Sequence, residues 1–211
     1  MNGVDPDLLD AWAGARSKAR GLPAPISDHG GFRVETGSAA ETRRWIFPDA
    51  TDGLRDLAGR IDQPRVLLKA CATVNAVAAL IPPRWSVEPT GWVMLHPGEP
   101  DTHGATPPGF TLDTDHNPLS CTAIINTDDG ALAASGHAAE AGGVFIYDRI
   151  VVEPRFQRLG LGTTLMAALS GFRPAGSQAM LIATDDGRAL YETLGWSVVA
   201  PYSTAQIRDD R

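Results

Sequence analysis

Cysteine is nearly absent: Cys71 and Cys121 stand alone in 211 residues, with no CxxC pair and no Cys–His spacing beside them. That excludes a disulfide framework and a thiolate zinc site, and makes a reducing cytosol the expected compartment. Basic excess is lacking too. Eighteen Lys and Arg stand against 25 Asp and Glu, a net charge of −7, which argues against nucleic acid as the main partner. An acidic field of this kind would suit cationic substrates such as amines. No apolar run approaches the roughly 20 residues that span a bilayer. The first stretch, "MNGVDPDLLDAWAGARSKARG", carries acids where a signal peptide has a basic region, so neither a leader nor a membrane partner is expected. No repeat or low-complexity tract stands out. "DTDH", Asp113 to His116, lacks further ligand spacing, and no metal is expected.

What is present is the composition of a globular protein, 43% hydrophobic and 20% charged. A short helix is predicted near the start, with Asp5 as cap, Pro6 in its first turn, and Leu8, Leu9 and Trp12 on one face. "GLPAPISDHGG" then reads as irregular. "FRVETG" and "RRWIF" read as strands, "DGLRDLAGRI" as an amphipathic helix, and "RVLLKACATV" and "WVMLH" as strands. Residues 97 to 108, "PGEPDTHGATPP", hold four prolines and two glycines and give the best boundary. It divides the chain into an N-terminal α/β region, 1–105, and a second region, 106–211.

The second region is patterned more sharply. "GFTLDTD" alternates, and "LSCTAIIN" and "ALAASGHA" flank "TDDG", a hairpin turn. "GVFIYDRIVV" is a long alternating strand, and Leu161, Leu165, Ala168, Leu169 and Phe172 repeat at helical spacing from about Gly160 to Ser170. "AMLIAT" is a wholly apolar strand suited to a sheet centre, "DGRALYETLG" a helix, and "WSVVAPY" a last strand. The predicted order is three antiparallel strands, then helix, strand, helix, strand, an α/β fold on a mixed sheet. A strand edge near the C-terminus is where two chains would pair, so monomer and homodimer both stay open.

Between a strand ending at Pro154 and that helix lies "QRLGLG", residues 157 to 162. A glycine-rich turn opening a helix suits a phosphate, because free amides and the helix dipole face it. The P-loop pattern is absent. A dinucleotide fingerprint fails too, because "GLG" continues into Thr163-Thr164 and the preceding strand belongs to a hairpin series.

The segment "IVVEPRFQRLGLGTTLMAAL" resembles the acyl-CoA-binding segment of the GCN5-related N-acetyltransferase (GNAT) superfamily. Gln157, Gly160 and Gly162 take the fixed positions of its signature. "LYETLGW", residues 190 to 196, matches the family's second element, a helix ending in Gly and an aromatic. The resemblance covers roughly residues 109 to 205. It implies a GNAT-like, mostly antiparallel central sheet with flanking helices. It implies, too, that 106–211 is the acyl-CoA-binding core, and it leaves open for 1–105 a degenerate acetyltransferase-like half, although no glycine turn survives there.

By the same resemblance, backbone amides of Arg158, Leu159, Gly160, Leu161, Gly162 and Thr163 hold the pyrophosphate of coenzyme A. Ile150, Val151 and Val152 pair with the pantetheine arm as an added strand, which calls for a β-bulge near Arg149 or Ile150. Tyr191 stands where many relatives protonate the departing thiolate. Asp148, alternating onto the face of Ile150 and Val152, is the candidate base, weighed against a plain ion pair with Arg149 or another cation. Thr184 and Gly187 depart from the family's common Asn and Ala. The implied activity is transfer of an acetyl group from acetyl-CoA, a cosubstrate, to a primary amine by direct attack, with neither cysteine as nucleophile. A non-catalytic acyl-CoA-binding module and a scaffold that binds no CoA are the rivals. His137 is a lone histidine near the cleft, and Trp45, Trp85 and Trp92 either fill the first half's core or wall an acceptor pocket.

Overall fold

The structure, a computed structural model, describes residues 3–96, 98 and 104–207, so part of the 97–108 loop lies outside the described residues. Helix α1, Pro6–Ala19, starts where Asp5 accepts hydrogen bonds from the amides of Asp7 and Leu8. Strands β1 (Ile26–Asp28), β2 (Gly31–Glu35) and β3 (Arg43–Phe47) follow, then α2 (Asp52–Arg60), β4 (Val66–Ala70), α3 (Val74–Ala78) and β5 (Trp85–His96). The second region runs β6 (Phe110–His116), β7 (Cys121–Thr127), β8 (Leu132–Ala141), β9 (Val144–Val152), α4 (Leu161–Ser170), β10 (Gln178–Ala183), α5 (Asp185–Thr193) and β11 (Ser197–Ile207). Four antiparallel strands, not three, thus precede α4. Strand β1 falls inside the stretch read as irregular, because three residues are too few to show alternation.

All eleven strands join one sheet in the order β1-β2-β3-β4-β11-β5-β10-β9-β8-β7-β6, antiparallel except for β3–β4 and β9–β10. The C-terminal strand β11 lies inside the sheet, between β4 and β5, so it offers no edge for pairing chains. β1 and β6 are the edges. The two regions interleave here: β5 of the first sits between β10 and β11 of the second. Each region also runs the same course, through antiparallel hairpin strands, a helix, a strand parallel to the last one, a second helix and a final strand.

Helix α1 packs on one face, against β8, β9 and β2, burying Leu9 and Trp12 with Ile146 and Tyr202. On the opposite side α4 lays Leu161, Leu165 and Leu169 over β7, β8 and β9. A third cluster, built round Trp45, Phe47, Leu54 and Trp85, closes α2 and α3 on the first region. Each fully buried aliphatic side chain of these clusters contributes about 2 kcal/mol.

Gly91 lets β5 come close to β10: a Cβ there would sit 2.1 Å from the Ala183 carbonyl oxygen, and its φ is +154°. Gly91→Ala is therefore expected to destabilise the fold by about 2 kcal/mol or more. A urea titration checks this, and an unchanged midpoint contradicts it.

Candidate functional site

β9 and β10 run parallel only from Val144↔Gln178 to Ile146↔Met180, although β9 continues to Val152 and β10 to Ala183. Beyond that point the strands part. On its other edge β9 stays bound to β8, but with a register shift: Ser135 faces Val151 and His137 faces Asp148. Arg149 and Ile150 therefore oppose Gly136 alone. This is the bulge the sequence called for, and Arg149 carries it at φ +54°, a left-handed conformation that costs a non-glycine residue about 1 kcal/mol. Gly136 makes the room, since a Cβ there would meet the Ile150 Cδ1 at 2.5 Å.

The bulge also reverses the side-chain parity. Simple alternation puts Asp148 on the face of Ile150 and Val152. Instead Ile150 and Val152 pack toward α4 with Tyr147, and Asp148 points to α1. There Arg20 donates to both carboxylate oxygens, at 2.7 and 2.8 Å, with Arg149 at 3.3 Å and Arg16 at 3.7 Å. Burial alone would raise the pKa of Asp148, but the Arg20 hydrogen bond and the surrounding guanidinium charges bring it below the usual carboxylate value. An ionised, fully engaged carboxylate is a weak proton acceptor. The ion-pair reading of Asp148 is the one the geometry favours.

At the turn, the 3-10 segment Pro154–Phe156 leads into exposed residues Gln157, Arg158, Leu159 and Gly160. Arg158 and Gly160 both take positive φ, +63° and +81°. Gly160 caps α4 with no side-chain hydrogen bond, no acid lies in the first turn, and nothing lies within 4 Å of where its Cβ would be. The backbone amides of Leu161, Gly162 and Thr163 occupy that first turn, where a helix has no internal acceptors for its amides. The side chain of Leu161 is buried in the core and that of Thr163 half-buried.

The first region supplies an internal contrast. Its corresponding strands β3 and β4 stay paired from Arg43↔Val66 to Phe47↔Ala70, so no cleft opens. The helix that follows, α2, is capped by Thr51, begins with Asp52, and has the His29 carbonyl oxygen 1.8 Å from where a Gly53 Cβ would sit. That helix start is filled by the protein's own atoms and bears the wrong charge for a phosphate.

Where β9 and β10 separate, a cavity of about 330 Å³ reaches both faces of the sheet. Ile150, Gly187 and Tyr191 line it from one side, and Trp12, Arg16 and Tyr202 from the other. Burial pushes the Tyr191 phenol up to about 12, and its hydroxyl has no hydrogen-bond partner among the described residues, so it is a protonated donor at neutral pH. Thr184 caps α5 through the Gly187 amide at 3.2 Å, and a Cβ on Gly187 would stand 3.3 Å from the Tyr191 ring. The family departures thus give Tyr191 space. A second cavity, about 260 Å³, lies between α4 and α5 over Tyr147 and Trp196, and Tyr147 lines both.

Sequence reasoning missed half of the site. Trp12, Arg16 and Arg20 recur every fourth residue along α1, a cationic stripe on a helix otherwise read only for its apolar face. With Lys69 and Arg149 they give the cavity four cations to one carboxylate, the reverse of what the acidic net charge suggested. Trp45 and Trp85 are core residues, and Trp92 donates to Asp185 at 2.6 Å; none of the three lines this cavity. His137 faces Asp148 across the strands and shares a 3.1 Å hydrogen bond with Thr122. Cys71 and Cys121 are buried free thiols pushed up to about 12 and about 11 by desolvation, which removes them as nucleophiles. No group of metal-binding side chains occurs among the described residues, and no helix there is long and apolar enough to cross a membrane.

The family model described as Acetyltransferase (GNAT) domain matches residues 118–198. The chain is similar to a GCN5-related N-acetyltransferase from Kribbella flavida, at 12% identity and TM-score 0.65 over 98% of this chain and 96% of that one. It is similar as well to a GNAT-family protein from Novosphingobium aromaticivorans, at 15% identity and TM-score 0.62 over 97% and 98%. A tandem GNAT protein from the clavulanic acid biosynthesis pathway aligns at 16% identity and TM-score 0.55 over 97% and 94%. No curated protein matches the chain at a significant level. Residues 118–198, fewer than half of the chain, match that GNAT domain model, and the chain as a whole has the fold of these GNAT structures.

Asp148 holds two half-buried arginines, so Asp148→Asn is expected to cost about 1–2 kcal/mol of stability at neutral pH by leaving them uncompensated. The native pKa lies below the unfolded value of 3.8. The contribution is therefore complete above about pH 4 and fades as the pH falls through the native value. Urea titrations of both proteins should show the gap closing in acid; a constant gap contradicts the assignment.

Proposed function

We propose that this protein is an N-acetyltransferase that moves the acetyl group of acetyl-CoA to a primary amine by direct attack. The observation that carries this reading is the parting of β9 from β10 after Ile146, beside a helix start left open at Gly160. The amides of residues 158–163 would take the pyrophosphate, with Gln157 flanking the turn. The free edge of Ile150, Val151 and Val152 would take the pantetheine arm, and the α4–α5 groove lies alongside. A β9 amide pointing into the gap would polarise the thioester carbonyl. The amine nitrogen bonds to the acyl carbon as the C–S bond breaks. Tyr191 gives its proton to the leaving sulfur, and the proton shed by the amine passes to water, from which the phenol is restored. Asp148 is assigned to positioning Arg16 and Arg20 rather than to taking that proton.

The shared course of the two regions supports reading 1–105 as a degenerate acetyltransferase-like half whose own cleft and phosphate turn have closed. Two buried free thiols fit a reducing cytosol. Tyr191→Phe is expected to lower kcat about 100-fold with acetyl-CoA affinity unchanged by calorimetry. Full turnover in the variant would remove the acid role. Acetyl-CoA binding with no thiol released to any amine would favour a non-catalytic binding module.

A further inference from the structure

Resting on that acyl-transfer reading, we propose that the acceptor is a small amine bearing a carboxylate, and that Arg16 and Lys69, with the Tyr202 hydroxyl, receive that carboxylate. The first ground is the balance of charge. Arg16, Arg20, Lys69 and Arg149 line the cavity against the single carboxylate of Asp148, in a protein whose net charge is −7. Arg20 takes both oxygens of that carboxylate, which leaves Arg16 only a 3.7 Å contact. Lys69 is buried on β4 and donates one hydrogen bond, 2.9 Å to the Thr204 hydroxyl. An ammonium has three donors.

The second ground is unsatisfied polarity at the same place. The Tyr202 hydroxyl is shut off from water with no hydrogen-bond partner among the described residues, Lys69 Nζ lies 5.9 Å from the centre of its ring, and Arg16 stacks on Trp12 at 5.3 Å. A buried ammonium crowded by guanidinium groups and an orphaned hydroxyl each cost stability. Desolvation, then the repulsion of Arg16 and Arg44, lowers Lys69 to about 8, and burial lowers Arg16 to about 10. One bound anion relieves all of these together.

The third ground is position. These groups come from α1, β4 and β11, on the side of the sheet away from α4 and the glycine turn, so they face an acceptor rather than the donor's phosphates. A carboxylate seated there leaves the amine of the same molecule to reach through the gap between β9 and β10 toward Tyr191. The cavity is of the size that takes small ligands.

The experiment pairs L-amino acids with their carboxamides, which keep the amine and lose the charge, and follows thiol release from acetyl-CoA. The expectation is a kcat/KM at least tenfold higher for the acid in the preferred pair. Arg16→Met and Lys69→Met should each lower kcat/KM for the acid at least tenfold more than for its carboxamide, erasing that preference, with the calorimetric Kd for acetyl-CoA retained. Lys69→Met should also raise Tm, because it removes a buried, partly unmatched charge. Tyr202→Phe, which removes a hydroxyl that bonds nothing, keeps the fold and should raise KM for the acid several-fold. Equal or better use of carboxamides overturns the proposal, as does a preference that survives in all three variants. Weakened acetyl-CoA binding in Arg16→Met overturns it in favour of a donor-phosphate role. Acetyl-CoA bound with no member of the panel acetylated overturns the acceptor class alone, whereas no acetyl-CoA binding removes the acyl-transfer reading beneath it.

Discussion

The separation of β9 from β10 is the constraint on which the rest of the site depends. A parallel pair with both strands fully laddered has no unbonded edge within reach of a ligand, as β3 and β4 illustrate in the same molecule. Here the ladder stops at Ile146↔Met180, and the strands that continue beyond it expose main-chain donors and acceptors to whatever enters. The opening is built from local devices. A bulge at Arg149 turns β9, Gly136 accepts the displaced Ile150 side chain, and β8 keeps its hold on the far edge at Val151 and Val152.

The same divergence lets one cavity reach both faces of the sheet, and this joins the two regions functionally. The second region supplies the glycine turn, the free strand edge and Tyr191. The first supplies Trp12, Arg16 and Lys69, whose charge gives the far side of the gap its character. The exchange of β5 and β11 across the middle of the sheet makes the two regions one rigid support, because neither can close its own sheet without the other's strand. Crowding four cations round one carboxylate costs stability, a cost consistent with the anionic acceptor proposed above.

Much of this was legible in the sequence wherever chemistry is local. The glycine turn needs positive φ at Gly160, the helix after it repeats at helical spacing, and "LYETLGW" fixes Tyr191 two turns along α5; all of these are short-range signals. The bulge was legible as a requirement, but its effect on parity was not. Alternation counted through Arg149 assigns Asp148 to the wrong face, since one extra residue in a strand inverts every side chain beyond it. The cationic side of the cavity was not legible because it is assembled by long-range pairing. Arg16 and Lys69 meet only after β4 is laid against β11 and α1 across β9. A net charge summed over the chain hides a cationic cavity inside an acidic shell. The C-terminal strand was mistaken for an edge for the same reason: interior position depends on which strands swap, and no pattern within "WSVVAPY" records it.

Acetyl-CoA titrated into isotope-labelled protein, with backbone amide resonances followed by NMR, tests the central claim most directly. The account predicts large, saturating shifts confined to the free edge at residues 150–152 and the turn at residues 158–163, with the matching positions near Phe47 and Gly53 unmoved. Unperturbed amides at both predicted segments at saturating thioester, or shifts centred on the first region's turn instead, would contradict it.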